Sequence, residues 1–250
     1  MKITIESGRA IRKARLNAEL SQMDLELAIG AAFGSISRLE SGKVNPTKET
    51  LISIAYALKL DTYETARLFG IDLYNPLHLF EQTTSMLVCS DLQKVLDLSV
   101  NDLIFSMGYL ASCVFLVDIK KEYISLAALT NSNISSRVQQ FLQKPLSALR
   151  LSIEHDRKNL LVKCINENAV LTTLLSRDYL VPAVLSEEAD MLQKLTGDKN
   201  HLIVPLSNDN SSFGAMVYIK KVDKQFSDDE IKLNTIITKQ LAIAIHRLRI

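Results

Sequence analysis

The chain has 250 residues, 47% of them hydrophobic and 23% charged, and a net charge of +1. That is enough apolar material for two buried cores, and too even a balance for a protein that holds nucleic acid by bulk charge. Residues 1–70 carry a net +2 and the remainder −1, so any DNA affinity must come from cations placed locally.

Residues 8–18 set Ile11, Ala14, Leu16 and Ala18 among Arg9, Arg12, Lys13 and Arg15, the pattern of a basic amphipathic helix. Ser21 is expected to cap a second helix running to Ile29, with Asp24 at its third position favouring the N-terminus. Gly30 supplies a turn into a third helix from about Ala32 to Ser41, closed by Gly42 in a left-handed conformation. After the break at Asn45-Pro46, Thr47 caps a fourth helix with Leu51, Ile54, Ala55 and Leu58 on one face. Asp61 and Glu64 form the capping box of a fifth, which Gly70 ends. Five short helices with start and stop signals predict an all-α domain over residues 1–70.

Asn75-Pro76 and the cluster Gln82-Thr83-Thr84-Ser85 mark residues 71–89 as a linker. Ser90 with Gln93 opens a long helix striped by Leu92, Val95, Leu96, Leu103, Ile104 and Met107 and ended by Gly108. From Ala111 the period becomes that of strands: Ser112 to Val117, a charged turn from Asp118 to Glu122, then Tyr123 to Leu129 returning. A helix near Arg137 to Leu142, a strand near Leu149 to Ile153 and a helix from Asn159 to Asn168 follow. His201 to Leu206 and Gly214 to Ile219 flank a polar hairpin loop, and Ser227 with Glu230 caps a last helix. Strands separated by helices, with antiparallel hairpins at both ends, predict an α+β sheet domain over residues 90–250.

Arg12 and Arg15 on the first helix, Ser21-Gln22 opening the second, and Gly30 in the turn make one half of a motif. Ile36-Ser37-Arg38-Leu39-Glu40-Ser41-Gly42 on the third helix, then Asn45-Pro46 and Glu49-Thr50-Leu51, make the other. Together they resemble the lambda-repressor-like, Xre-type helix-turn-helix family, whose layout sets one helix into the DNA major groove. Leu25, Ala28, Ile29, Ile36 and Leu39 fall at core spacing. For Arg15 and Glu40 the resemblance implies a buried ion pair tying the first helix to the third. Gln22, at the N-terminus of the second helix, is expected to grip a phosphate. The start of the third helix, Ala32, Phe33, Gly34 and Ser35, then Ser37 and Arg38, would face base edges, with Lys43 and Asn45 on the backbone. Phe33 and Gly34 stand where the family commonly has polar readers, and Glu26 where it usually has Ala. Phe33 can touch a thymine methyl but reads no donor/acceptor pattern, so base specificity is either modest or shifted onto Ser35, Ser37 and Arg38. A helical protein-interaction module without DNA is the alternative.

Val114 to Val117 with Tyr123 to Leu129, Ile203 to Leu206, Phe213 to Val217, Phe226 to Glu230 and Gln240 to Ile245 carry a second resemblance. Over about residues 86–250 they are similar to a GAF domain, the small-molecule sensing fold of many signalling proteins. The resemblance implies a ligand between one sheet face and the helices from about Arg137 to Lys194. There Asn166, Asn168, Thr172, Thr173 and Arg177 either line a polar pocket or form a solvated face. The Asn-Lys signature of the cyclic-nucleotide subgroup is absent, and no Cys is followed by His, as a bilin-bound domain wants. His155, His201 and the cysteines show no metal-ligand spacing, so no cofactor is expected. Some GAF proteins reduce methionine sulfoxide with cysteines, which leaves a thiol reductase on Cys113 and Cys164 as an enzymatic alternative to packed, inert thiols.

The last helix carries two stripes. Leu233, Ile236 and Ile243 suit the sheet, while Ile237, Leu241, Ala244 and Leu248 repeat at four-three-four spacing, a coiled-coil-like seam expected to form a homodimer interface. Cys89, Cys113 and Cys164 are too few and scattered for a disulfide framework, which suits a reducing cytoplasm. No apolar run approaches the roughly 18 residues of a membrane span, and no signal peptide is expected at Met1 to Glu6. The expected protein is a cytoplasmic, non-enzymatic transcription regulator with double-stranded DNA, a second copy and a small-molecule effector as partners. A ligand-free GAF domain serving only dimerisation or protein contact is the alternative.

Overall fold

The computed structural model describes residues 5–71, 83–101, 104, 107–118, 120, 122–143, 145, 148–208, 211–221 and 225–249. Its contacts divide into two units, residues 1–82 with 105–108 and residues 83–104 with 109–250.

In the N-terminal unit α1 (Ile5–Asn17), α2 (Gln22–Ile29), α3 (Ser35–Glu40), α4 (Lys48–Ala57) and α5 (Thr62–Leu68) follow one another. Ser21 Oγ accepts from the Asp24 amide at 3.1 Å, and Asp24 accepts from the Ser21 amide at 2.9 Å. Asp61 and Glu64 repeat the exchange for α5, and Thr47 caps α4 through the Thr50 amide. Each reciprocal cap satisfies two donors at the helix entrance. Ile11, Leu25, Ile36, Leu39, Leu51 and Ile54 gather in one core. Leu16 and Ala28, expected inside, are exposed. Ile11 and Arg15 share the buried face of α1, and at about 100° per residue Leu16 turns away from it. On α2 the inner place belongs to Leu25 and Glu26.

The C-terminal unit contains α6 (83–88), α7 (Leu92–Val100), β1 (Ala111–Val117), β2 (Tyr123–Leu129), α8 (Asn133–Leu142) and β3 (Arg150–Ser152). It continues with α9 (Leu160–Glu167), β4 (Leu171–Thr173), α10 (Arg177–Leu180), α11 (Ser186–Thr196), β5 (Asn200–Asn208), β6 (Ser211–Lys220) and α12 (Asp228–Arg249). The strands form one antiparallel sheet in the order β3-β2-β1-β6-β5-β4. Its central strands read as near-continuous apolar runs because both faces are covered. Cys113, Phe115, Ile203 and Val217 pack with Leu161, Val162 and Cys164 of α9 on one face, while α7 and α12 lie together on the other.

Asp91, rather than Ser90, caps α7, accepting from the Lys94 amide at 3.1 Å. An aspartate there offers the same acceptor and adds a charge that the helix N-terminus favours. α7 ends at Val100, where Asn101 leaves helical space at φ −114° and ψ −95°, so the helix expected to run on to Met107 is interrupted there, although Ile104 is again helical. Leu103 and residues 72–82 of the expected linker lie outside the described residues, and 83–88 is helical. β4 and α10 span three and four residues, too short for periodicity to reveal. Among the described residues no helix is long and apolar enough to cross a membrane.

Candidate nucleic-acid interface and effector cavity

Arg15 lies in α1 and Glu40 ends α3, and folding brings Nε to 2.6 Å from Oε1 and Nη2 to 3.1 Å from Oε2. Arg15 Nη1 also donates to the Leu20 carbonyl at 2.6 Å, and Gln22 Nε2 donates to Glu40 Oε2 at 2.8 Å. Both charged side chains are less than a tenth exposed. Burial pushes the Glu40 carboxyl up, but the hydrogen bonds from Arg15 and Gln22 and the Arg15 charge outweigh it and hold it below its ordinary value. The hydrogen bond to Glu40 raises Arg15 in turn. A close backbone approach reinforces the contact: a Cβ on Gly8 would sit 2.6 Å from the Leu39 carbonyl oxygen, so glycine lets α1 lie against the end of α3.

Glu26 is the second lock, and sequence reasoning saw it only as a departure from the family. It is buried, and its Oε1 accepts from the Ile36 amide at 2.9 Å. It thereby caps a helix whose own N-cap, Gly34, has no side chain to offer. An acidic residue ten positions before an uncapped helix start was the available signal.

Gly34 adopts φ +77°, so its identity answers to the backbone and not to a base. The helix therefore begins at Ser35, and Ala32, Phe33 and Gly34 lie in the turn, not at a helix start. The Ser35 hydroxyl is buried, which removes it from the expected set of readers. The Gln22 amide is engaged by Glu40, so a phosphate would have to compete for it. Ser37, Arg38, Lys43 and Asn45 are exposed, together with Ala32 and Phe33, the latter by 83%. Arg38 Nε reaches back to the Gly34 carbonyl at 3.3 Å.

In the C-terminal unit a cavity of about 100 Å³ lies between sheet residues such as Cys113, Phe115 and Leu126 and the helical side chains Leu142 and Leu192. Its polar groups include Ser176, Tyr179, Thr196 and Asp198. Asp198 is 8% exposed; its Oδ2 accepts from Ser176 Oγ at 2.7 Å, and its Oδ1 lies 2.8 Å from Thr196 Oγ1. Burial raises its carboxyl against the pull of these hydroxyls. His201 Nδ1 lies 3.1 Å from the Tyr179 hydroxyl and Nε2 3.6 Å from Asp198 Oδ2. Burial pushes His201 down to about 4, so it is neutral at pH 7. Among the described residues no Lys or Arg pairs with Asp198.

None of Asn166, Asn168, Thr172, Thr173 and Arg177 lines this cavity. Asn168 ends α9 in a left-handed conformation at φ 49°, and Arg177 pairs with Asp190 at 3.5 Å near the surface.

The helix-turn-helix family matches residues 11–64. The N-terminal unit is an Xre-like helix-turn-helix domain. No curated protein matches the chain. Among solved structures, residues 122 to 287 of a methyl-accepting chemotaxis protein align at 16% identity and TM-score 0.51, covering 67% of this chain and 96% of that one. The GAF domain of a phosphoenolpyruvate-protein phosphotransferase from Acinetobacter aligns at 15% identity and TM-score 0.51, covering 68% and 92%. The corresponding domain from Coxiella burnetii aligns at 19% identity and TM-score 0.50 with the same coverage. The C-terminal unit thus has the GAF fold.

The last helix of the GAF unit turns the expected seam inward, and of the stripe expected on the sheet only Leu233 is buried. Ile237, Leu241 and Ala244 are at most 1% exposed and Leu248 is half-buried, while Ile236 and Ile243 are 48% and 56% exposed. The first three are therefore core, unavailable to a second copy. Both stripes satisfy helical spacing. The four-three-four row wins because it also seats Thr238 on the Tyr218 hydroxyl at 2.8 Å and Asn234 on the Tyr109 hydroxyl at 2.7 Å. Each large side chain it buries contributes roughly 1.5–3 kcal/mol. Cys113 and Cys164 share the core beside α9, and burial lifts both thiols to about 12. Neither is a thiolate near neutrality, so a thiol reductase has no nucleophile in them.

Proposed function

We propose that this protein is a cytoplasmic DNA-binding transcription regulator. Its helix-turn-helix domain binds a duplex as a homodimer, and its GAF unit senses a small molecule. The observation that carries the DNA half is the way α3 is held. The Arg15–Glu40 pair fixes its end and Glu26 its start, while Ser37 and Arg38 stay outward. A short helix so fixed can enter a groove without losing the geometry its side chains need. Arg38 then pairs with guanine edges, Ser37 takes a donor or acceptor, and Phe33 meets a thymine methyl. Lys43 and Asn45 hold phosphates and set the register.

One such helix reads few bases, and two half-sites need two copies. Ile236 and Ile243, exposed seven residues apart on α12, offer an apolar row for that contact. The largely apolar cavity between the sheet and its helices supports a sensing role for the GAF unit. A ligand that favours one dimer geometry, acting through residues 72–90, would change half-site spacing and so affinity.

A protein-contact role for the N-terminal unit has one observation in its favour: three large apolar side chains are exposed, Leu27 by 84% and Met23 by 58% on α2 and Phe33 by 83% in the turn that follows. A gel-shift titration of the full chain between about 50 and 200 mM salt decides, because neutralised phosphates must release counterions. Affinity for duplex that falls steeply with salt supports the DNA reading. Affinity that ignores salt, or no binding at the low end, overturns it.

A further inference from the structure

We propose that the GAF-unit cavity takes a small aliphatic amine, with its ammonium on the Asp198 carboxylate and its hydrocarbon among the apolar walls. This rests on reading the GAF unit as a sensor and names the ligand class of that sensor.

The first argument is charge. Asp198 is a carboxyl group 8% exposed at the edge of an otherwise largely apolar cavity. The histidine 3.6 Å away is neutral and supplies no counter-charge. A buried carboxylate without a counter-charge is costly, and the cost falls when a cation joins it. An uncharged ligand would strip water from Asp198 and leave it unpaired, and an anion would add like charge.

The second argument is a shortage of donors. A carboxylate has about four acceptor positions, and each hydroxyl has a single proton to give. Ser176 Oγ spends its proton on Asp198 Oδ2. Thr196 Oγ1 lies 2.8 Å from Asp198 Oδ1 and 2.9 Å from the Leu192 carbonyl, two acceptors for one proton. Tyr179 and His201 share one hydrogen bond, whose donor is set by the histidine tautomer, and leave one proton over between them. Asp198 thus has more acceptor positions than the neighbouring donors fill. An ammonium brings three donors and no acceptor, which is the complement of that imbalance.

The third argument is size and mounting. At roughly 10–15 Å³ for one water, about 100 Å³ holds several waters or one short branched chain. Gln193 stitches the polar end together: its Nε2 donates to the Leu174 and Asp198 carbonyls and its Oε1 accepts from the Ser176 amide. The carboxylate is therefore held in place before any ligand arrives.

The test uses the full chain and three probes of one shape: 3-methylbutylamine, 3-methylbutan-1-ol and 3-methylbutanoate. Calorimetry at pH 7 measures affinity, and methyl NMR of Leu129, Val138, Leu142 and Val184 reports occupation of the cavity. The amine is expected to shift those methyls and to bind at least tenfold tighter than the alcohol, with the carboxylate weakest. Asp198→Asn is expected to lose at least tenfold for the amine and to leave the alcohol unchanged. The wild-type comparison stands by itself if that variant does not fold. An alcohol or carboxylate that shifts the methyls and binds as tightly as the amine overturns the amine class and leaves the sensor reading in place. No methyl shift with any of the three probes overturns the proposal and leaves the cavity without an occupant for the sensor reading. Amine binding unchanged in folded Asp198→Asn also overturns the proposal.

Discussion

Replacing Glu40 with alanine tests whether one ion pair holds α3 in position. Three side-chain hydrogen bonds disappear, two from Arg15 and one from Gln22. Arg15 keeps only the Leu20 carbonyl and remains less than a tenth exposed. A charge left buried in this way typically costs about 3–5 kcal/mol. At about 1.4 kcal/mol per tenfold, the open population of the N-terminal unit rises by roughly two to three and a half powers of ten. Hydrogen exchange of the intact chain, read by mass spectrometry, should show α1 and α3 amides losing that protection while β5 and β6 serve as an internal reference. The double change Arg15→Met with Glu40→Leu should restore most of it, since two apolar side chains need no partner. Because the Glu40 carboxyl is held below its ordinary value, the pair's contribution is complete above the unfolded value of about 4.3 and fades as pH falls through the folded one. A cost below about 1 kcal/mol for Glu40→Ala would mean that water already satisfies Arg15, and the locking argument would fail.

Glu26→Ala should cost about 1–2 kcal/mol by uncapping α3 and should weaken DNA binding with no direct DNA contact removed. Glu26→Gln, which keeps an acceptor, should stay near wild type in the same denaturation and gel-shift assays. Arg38→Ala should lose about 1–3 kcal/mol of specific affinity, whereas Lys43→Ala should weaken all duplexes alike and reduce the salt slope by about one. His201, neutral in the folded state down to about pH 4, makes the unfolded chain bind the extra proton below about 6.5. The GAF unit should therefore lose up to about 3 kcal/mol between pH 6.5 and 4. Asp198, with its carboxyl raised, acts in the opposite sense and returns part of this near its own titration. The thermal melts are therefore also run on Asp198→Asn, where a profile flat between pH 7 and 4.5 would refute the His201 assignment. Alkylation of the native protein at pH 8 should mark half-buried Cys89 and spare Cys113 and Cys164 until denaturant is added, because both spared thiols are buried.

Much of the helical unit was legible because its signals are local. Ser21 with Asp24, Thr47 and Asp61 with Glu64 act within one turn, so spacing along the chain is spacing in space. The six strand positions were largely legible by the same logic, β1, β2, β5 and β6 showing as apolar runs and β3 within the expected Leu149–Ile153, while the three-residue β4 was not. The candidate sites were less so. Phe33 and Gly34 look alike as missing readers, yet Phe33 is exposed and Gly34 serves a left-handed backbone. Glu26 caps a helix ten residues away, and Asp198 meets Ser176 across 22 residues.

The sequence alone determined the five helices of the N-terminal unit, the longer strands and the last helix, because their signals act within a few residues, while the helix-turn-helix and GAF-like readings rested on resemblance. The helices at 83–88, Arg177–Leu180 and Ser186–Thr196 and the strand Leu171–Thr173 were not legible in it. Only the tertiary structure decided which of two equally periodic stripes on α12 meets the sheet, because periodicity marks an apolar face without naming its neighbour. It alone also showed that the GAF unit keeps a carboxylate, several hydroxyls and an apolar wall around one cavity. Those groups come from separate strands, helices and loops, and their common position is a property of the packed chain.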